Sequence, residues 1–244
     1  MTQDRSAFEQ DVHRAWADHL GYPIALASQP GTTILPEAKY AGDKLIALWR
    51  IGARTFAQVD PQLADAVRRV ADALPASEAL IADDLVQVWG DAAIQSRDAG
   101  LVHYLFPPDL SAWAPRSPYT VRALSLADDD GMQALHAACS PAEVDDGYVE
   151  VSHEIAFGCF ADGALVAASS GYRRTGFMDI GVLTHPGHRQ RGLGKAVVWA
   201  LCAWSISHNV INQYRCNADN TGSQATALGL GFRQFFTSES VRLR

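Results

Sequence analysis

Residues 182–197 read VLTHPGHRQRGLGKAV, an apolar run that stops at Thr184 and yields to a loop carrying Gly192, Gly194, Arg189, Arg191 and Lys195. A helix follows that loop. Glycine lacks the Cβ that would keep a ligand off the backbone. The first amides of a helix have no intrahelical partner, and the helix dipole adds partial positive charge there. Such a junction is an anion cradle, and phosphate or pyrophosphate suits it. A nucleotide P-loop does not fit. Counting from Gly187 to Gly192 puts Leu193 where lysine is required, and counting back from Gly194-Lys195 puts Arg189 where glycine is required. A dinucleotide fingerprint fails as well, because Val197 stands at its third glycine position.

The run Arg189-Gln190-Arg191-Gly192-Leu193-Gly194 matches [Q/R]-x-x-G-x-[G/A] and resembles the coenzyme A loop of the GCN5-related N-acetyltransferases, the GNAT superfamily. A second pattern of that family, N-x-x-[A/S]-x-x-L-Y-x-x-x-G-F, is met by Asn220, Ser223, Gly231 and Phe232. Two positions depart from it: Thr226 replaces the leucine and Ala227 the tyrosine. That tyrosine acts in many members as general acid toward the departing thiolate, so the resemblance leaves the acid unassigned. A thiol with a pKa of roughly 8–9 can also be protonated by water.

The resemblance implies acetyl-CoA as co-substrate. Backbone groups of Val182, Leu183 and Thr184 would meet the pantetheine arm. The amides from Arg189 through Gln190, Arg191, Gly192, Leu193, Gly194 and Lys195 would hold the pyrophosphate. Asn220 and Ser223 would touch the cofactor from the next helix. Each residue also has a plain structural reading: a loop at Gly192 and Gly194, an N-cap at Asn220, a first-turn polar residue at Ser223. The implied reaction is N-acetylation of a small-molecule or peptide amine by direct attack in a ternary complex. The rival is a non-catalytic acyl-CoA-binding or sensing module.

Acetyl transfer to an amine needs a polarised carbonyl and a path for one proton. Asp179 and His185 are the candidate catalytic groups, with Glu150, His153 and Glu154 ahead of a hairpin as further bases. Alternation along 177–184 turns Asp179 away from the face of Met178, Ile180 and Val182. The histidines have no metal-ligand spacing, so no metal is expected. Asp128–Asp130 with Glu143, Asp145 and Asp146 could draw a cationic amine, or serve as helix caps on a solvated face.

The elements that must position these residues form an α/β (α+β) pattern. After residue 119 the order is strand, two helices, three strands, helix, strand, helix, strand. Strands are expected at 155–160, 164–172, 177–184, 211–216 and 232–243, with helices at 193–208 and 221–230. Asp162-Gly163 makes the hairpin turn. The family resemblance implies a mixed, mostly antiparallel sheet flanked by helices. A smaller α/β lobe precedes it over 1–107, with Ser6 and Glu9 as a capping box, Phe8, Val12, Trp16 and Leu20 four apart, strands at 45–50 and 54–59, and a helix at 78–89. Residues 108–118 (PDLSAWAPRSP) form a proline-rich linker that Trp113 can pin to a surface. The domains expected are therefore 1–107, 108–118 and 119–244.

With 244 residues, 48% hydrophobic and 19% charged, the chain is globular in composition. Lys plus Arg is 20 against 27 Asp plus Glu, a net charge of −7 that argues against nucleic acid as partner. No 18-residue apolar run is present and the amino terminus is charged, so neither a membrane nor a secretory leader is expected. Cys139, Cys159, Cys202 and Cys216 lack paired spacing, which fits reduced thiols in a cytoplasmic protein. The partner expected is an amine acceptor, with a homodimer as an option.

Overall fold

A computed structural model describes residues 4–113, 118–174 and 176–244. In chain order its elements are α1 (Arg5–Leu20), β1 (Gly31–Pro36), β2 (Leu45–Ile51), β3 (Arg54–Val59), α2 (Ala64–Asp72), α3 (Ala82–Trp89), β4 (Ile94–Leu105), β5 (Thr120–Ala123), α4 (Asp129–Ala138), α5 (Pro141–Gly147), β6 (Ile155–Ala161), β7 (Ala164–Arg174), β8 (Phe177–Thr184), α6 (Leu193–Ser207), β9 (Ile211–Asn217), α7 (Thr221–Leu230) and β10 (Arg233–Leu243). Contacts gather them into two units. One holds 9–102, 217–219 and 234–244; the other holds the described residues of 1–8, 103–216 and 220–233. The last strand thus groups with the amino-terminal lobe, whereas the sequence reading leaves it in 119–244. Of the linker stretch, residues 114–117 lie outside the described residues.

In the first unit the strand order is β1-β3-β2-β10-β4. The β2–β3 hairpin forms as the sequence predicts, and β10 pairs antiparallel with β2. Ile46, Leu48, Ala57 and Val59 bury one face of this sheet against Val67 and Val70 of α2 and Leu85 of α3. Two expectations need correcting, and one strand was not expected at all. Helix α1 begins at Arg5, with Phe8 N–H bonded to Asp4 C=O, so Ser6 lies inside the first turn and caps nothing. The helix expected over 78–89 starts only at Ala82. Leu80 N–H is taken by the Thr32 hydroxyl, and the Asp84 carboxylate caps Ile81 N–H. Strand β1, parallel to β3, went unforeseen because its GTTILP has no clean alternation and ends in proline.

In the second unit the order runs from the end of β4 through β9, β8, β7, β6 to β5. Strands β5 and β6, β6 and β7, and β7 and β8 pair antiparallel, whereas β8 and β9 are parallel. Side-chain alternation splits β8 between two cores. Met178, Ile180 and Val182 pack with Val198, Leu201 and Cys202 of α6 and Ala227 and Leu230 of α7. Leu183 points the other way, to Met132 and Leu135 of α4 and Val149 beyond α5. The uninterrupted apolar sequence of α6 is explained by its burial, with Leu193, Ala196, Val197, Val198, Leu201 and Cys202 all in the core. No described helix is long and apolar enough to cross a membrane.

The Gly-Phe pair that ends the second family pattern is structural. Gly231 terminates α7 at φ +99°, with Phe232 N–H bonded back to Ala227 C=O, and Phe232 is buried against Tyr214. A Cβ at residue 231 would collide with Asp109 C=O. Gly231→Ala therefore adds left-handed strain to overpacking and should cost about 2–4 kcal/mol, read as a lower urea midpoint at unchanged slope.

Candidate functional site

Parallel pairing between β8 and β9 runs from Phe177↔Ile211 to Ile180↔Tyr214 and stops there, although β8 continues to Thr184 and β9 to Asn217. The two strands part. On its other side β8 stays paired with β7 as far as Thr184, and His185 N–H donates to Val166 C=O at 2.9 Å. That bond fixes the alternation of the antiparallel ladder. Gly181 and Leu183 turn their backbone groups to β7, while Val182 and Thr184 turn theirs to the side β9 has left. Thr184 C=O is already engaged, by Arg189 Nε at 3.1 Å.

Beyond Thr184 the chain makes a short 3₁₀ turn, Pro186–His188, and then a bend with Gln190 at φ +60° and Gly192 at φ +75°. Gly192 immediately precedes α6, and Ala196 N–H to Gly192 C=O is the helix's first bond. The amides of Leu193, Gly194 and Lys195 thus precede the ladder of intrahelical donors. Packing and a positive φ require glycine at 192, and the contact at 194 is tight. A Cβ at 192 would stand 2.5 Å from the Trp113 indole, and one at 194 would stand 3.0 Å from Thr184 Oγ1. The three cations are each held. Arg189 pairs with Glu143 at 2.7 Å, Arg191 donates to Tyr119 Oη at 2.7 Å, and Lys195 Nζ lies 5.2 Å from the centre of the Trp113 ring. A diphosphate would meet a row of amides in a basic surround, with Trp113 as one wall.

Asn220 accepts from Ser223 N–H at 3.0 Å, so it caps α7, as its plain reading holds. Ala227, at the place of the family tyrosine, is fully buried beside Tyr214 of β9. The Tyr214 hydroxyl lies by Ser223, and burial pushes its pKa up to about 12. Among the described residues no cluster of three or more His, Cys, Asp or Glu could hold a metal.

Of the candidate acids and bases, Asp179 is buried with both carboxylate oxygens engaged. It accepts from Tyr172 Oη at 2.9 Å and from Arg215 Nε at 3.2 and 3.1 Å. Burial works against the Arg215 charge, but Asp179 and Tyr172 outweigh it and raise its pKa. Such a carboxylate holds an arginine; it is poorly placed to take a substrate proton. His185 stands apart at the loop, its Nδ1 accepting from Gly187 N–H at 3.1 Å. Glu154 is tied to Arg173 at 2.6 Å. His153 and Glu150 converge on one atom: Ser170 Oγ lies 2.8 Å from His153 Nδ1 and accepts Glu150 N–H at 3.0 Å. Ser170 is the register partner of Gly181, one residue past the last β8–β9 pair. Burial lowers the His153 pKa below 6.5, against the opposing Glu150 charge.

Sequence spacing gave no reason to prefer His153 over Asp179. Its closeness to β8 comes from the chain folding back after α5, where Gly147 C=O approaches Gly181 so closely that a Cβ there would collide with it. Asp179→Asn leaves Arg215 without its anion. Because Arg215 is 35% exposed, the loss should be about 2 kcal/mol, below that of a fully buried pair, and thermal unfolding will read it.

A family model described as GNAT acetyltransferase matches residues 152–237, which include β8, the glycine bend, α6, β9 and α7. No curated protein matches the chain. Among solved structures, a GCN5-related N-acetyltransferase from Kribbella flavida is similar over 96% of this chain and 97% of that one, at TM-score 0.53 and 19% identity. A GNAT-family acetyltransferase from Colwellia psychrerythraea has a TM-score of 0.52 at 14% identity, covering 78% of each chain. A GCN5-related N-acetyltransferase from Sphaerobacter thermophilus gives 0.52 at 11%, covering 78% of this chain and 72% of that one. At these identities the likeness is one of fold. The family match covers residues 152–237, about a third of the chain, and the solved structures extend the likeness of fold beyond it.

Proposed function

We propose that the protein transfers the acetyl group of acetyl-CoA to an amine, by direct attack while both substrates are bound. The parting of β8 and β9 beyond Ile180 and Tyr214, with a glycine bend and helix start at the end of β8, carries this reading. An extended pantetheine arm can pair with the outward backbone groups of Val182 and with Thr184 N–H as a missing strand would, Thr184 C=O being held by Arg189. Its diphosphate then reaches the amides at the start of α6. Arg189, Gln190, Arg191, Gly192, Leu193, Gly194 and Lys195 form that cradle, Leu183 anchors it from the α4 core, and Asn220 and Ser223 flank it on α7. Four free cysteines fit a reducing cytoplasm.

The substrate supplies an activated thioester, and its carbonyl oxygen lies near the Val182 amide. His153 takes the proton of the incoming ammonium at Nε2 while Nδ1–H donates to Ser170 Oγ. The neutral amine attacks the carbonyl carbon, the C–N bond forms and the C–S bond breaks. The departing thiolate gains the proton that the new amide nitrogen sheds. Asp179 acts indirectly, by fixing Arg215 across the opening, and His185 shapes the loop through Gly187. The specific observation favouring the rival, a CoA-binding module without turnover, is Ala227 at the place of the family tyrosine.

Release of free thiol from acetyl-CoA with a panel of amines decides between the two. CoA binding with no turnover on any amine would leave only the module. Gly192→Val forces a β-branched residue into φ +75° against Trp113, so CoA affinity should fall at least tenfold by titration, together with some loss of stability. With His153 as base, kcat/KM falls as pH drops through its pKa, which burial sets below 6.5 and Glu150 partly restores. Tyr148 and Tyr172 are the other titratable groups facing the ring. Glu150→Gln should move the acid limb to still lower pH, and His153→Gln should abolish it; an unchanged limb in both removes His153 from the mechanism.

A further inference from the structure

Tyr148 is the residue after α5, and it adopts the left-handed conformation, φ 43° and ψ 54°. That geometry suits glycine or asparagine and strains a bulky side chain. The ring is not there to fill a core, since Tyr148 is 54% exposed. It stands edge to face with Tyr172 at 5.2 Å and 4.9 Å from His153, and His153 lies 5.2 Å from Tyr172. Tyr148 is exposed while the His153 and Tyr172 rings are half-buried, and the Tyr148 backbone C=O lies 2.9 Å from the Cβ position of Gly181. The carboxylates around them are unequal. Asp179 is committed to Arg215 and Glu154 to Arg173, while Glu150 has no ion pair among the described residues.

From this juxtaposition we infer that the Tyr148, Tyr172 and His153 rings with the Glu150 carboxylate form the acceptor's docking face, and that it selects small organic cations. The inference rests on the acetyl-transfer reading for the identity of the occupant as the acceptor. Tyrosine faces attract ammonium groups through the ring quadrupole, more strongly as water is excluded. An unneutralised carboxylate beside them adds the charge term and disfavours anionic acceptors. The face adjoins the place where β8 and β9 part, so a cation seated on it has its nitrogen next to His153. A strained tyrosine in a position made for asparagine is the pattern of a residue held for its ring at a cost in stability.

The test uses the full chain and two unreactive probes of one shape: choline, and 3,3-dimethylbutan-1-ol, which replaces the quaternary nitrogen with carbon. Calorimetric or NMR titration without acyl-CoA should show choline binding at least tenfold tighter than the neutral alcohol. Tyr148→Asn suits the left-handed backbone, so its thermal midpoint should hold or rise while choline affinity falls at least tenfold. Tyr148→Phe should retain choline, Glu150→Gln should weaken it about threefold, and CoA affinity should stay within twofold in all three. Equal binding of both probes, no binding of either, or unchanged choline affinity in Tyr148→Asn overturns the inference. A separate CoA titration on the unaltered chain keeps the two readings apart: loss there removes the acetyl-transfer reading, whereas choline selectivity stands or falls on the rings.

Discussion

Two parallel strands that stop pairing while both continue turn backbone donors and acceptors toward a neighbour that no longer takes them. Such groups must find water or another partner, because leaving them unsatisfied is costly. Beyond Ile180 and Tyr214 the half-buried Val182 turns its backbone groups that way, and the elements of the second unit lie around this edge. Strand β7 holds β8 straight through the gap, so the opening belongs to β9 alone. The α6/α7 core closes one face with apolar side chains, and α4 with the Gly147–Tyr148 turn closes the other. An edge of β8 with outward hydrogen-bonding groups and a helix start beyond its end is the product.

The glycine bend illustrates how one sequence feature serves two requirements. Gly192 must be glycine because its φ is positive and because Trp113 occupies the space of its side chain. The same bend exposes the amides that begin α6. A substitution at this residue therefore disturbs the packing against Trp113 and the exposed amides together. The charged residues of the loop behave likewise. Arg189, Arg191 and Lys195 shape the loop through Glu143, Tyr119 and Trp113 before any ligand arrives.

Much of this architecture was legible in the sequence. The hairpin at Asp162-Gly163, strand 177–184 and helix 221–230 follow from turn chemistry and from period, and the structure keeps the bounds of the last two. The alternation that turned Asp179 from Met178 and Ile180 also held. What it could not say is what Asp179 meets on its own face, because Arg215 lies 36 residues away and the partnership is tertiary. His153, named among the candidate bases, could not be preferred for the same reason: nothing local links it to Ser170. Strand β1 escaped because β-propensity is weak where proline ends the run and a parallel partner, not alternation, defines the strand. Gly231 and Phe232 were read as part of a cofactor pattern, and they turn out to end a helix and fill a core.

The Asp179–Arg215 pair has one more consequence. Arg215 is the first residue of β9 past the point of separation, and its guanidinium reaches back to a carboxylate on β8 that is only 4% exposed. It ties the two strands together just past their last paired residues, through a contact that is dry on the aspartate side and partly open to screening salt on the arginine side. Any molecule that bound there would meet strands already tied together, so the loss of conformational freedom would fall on it rather than on the sheet.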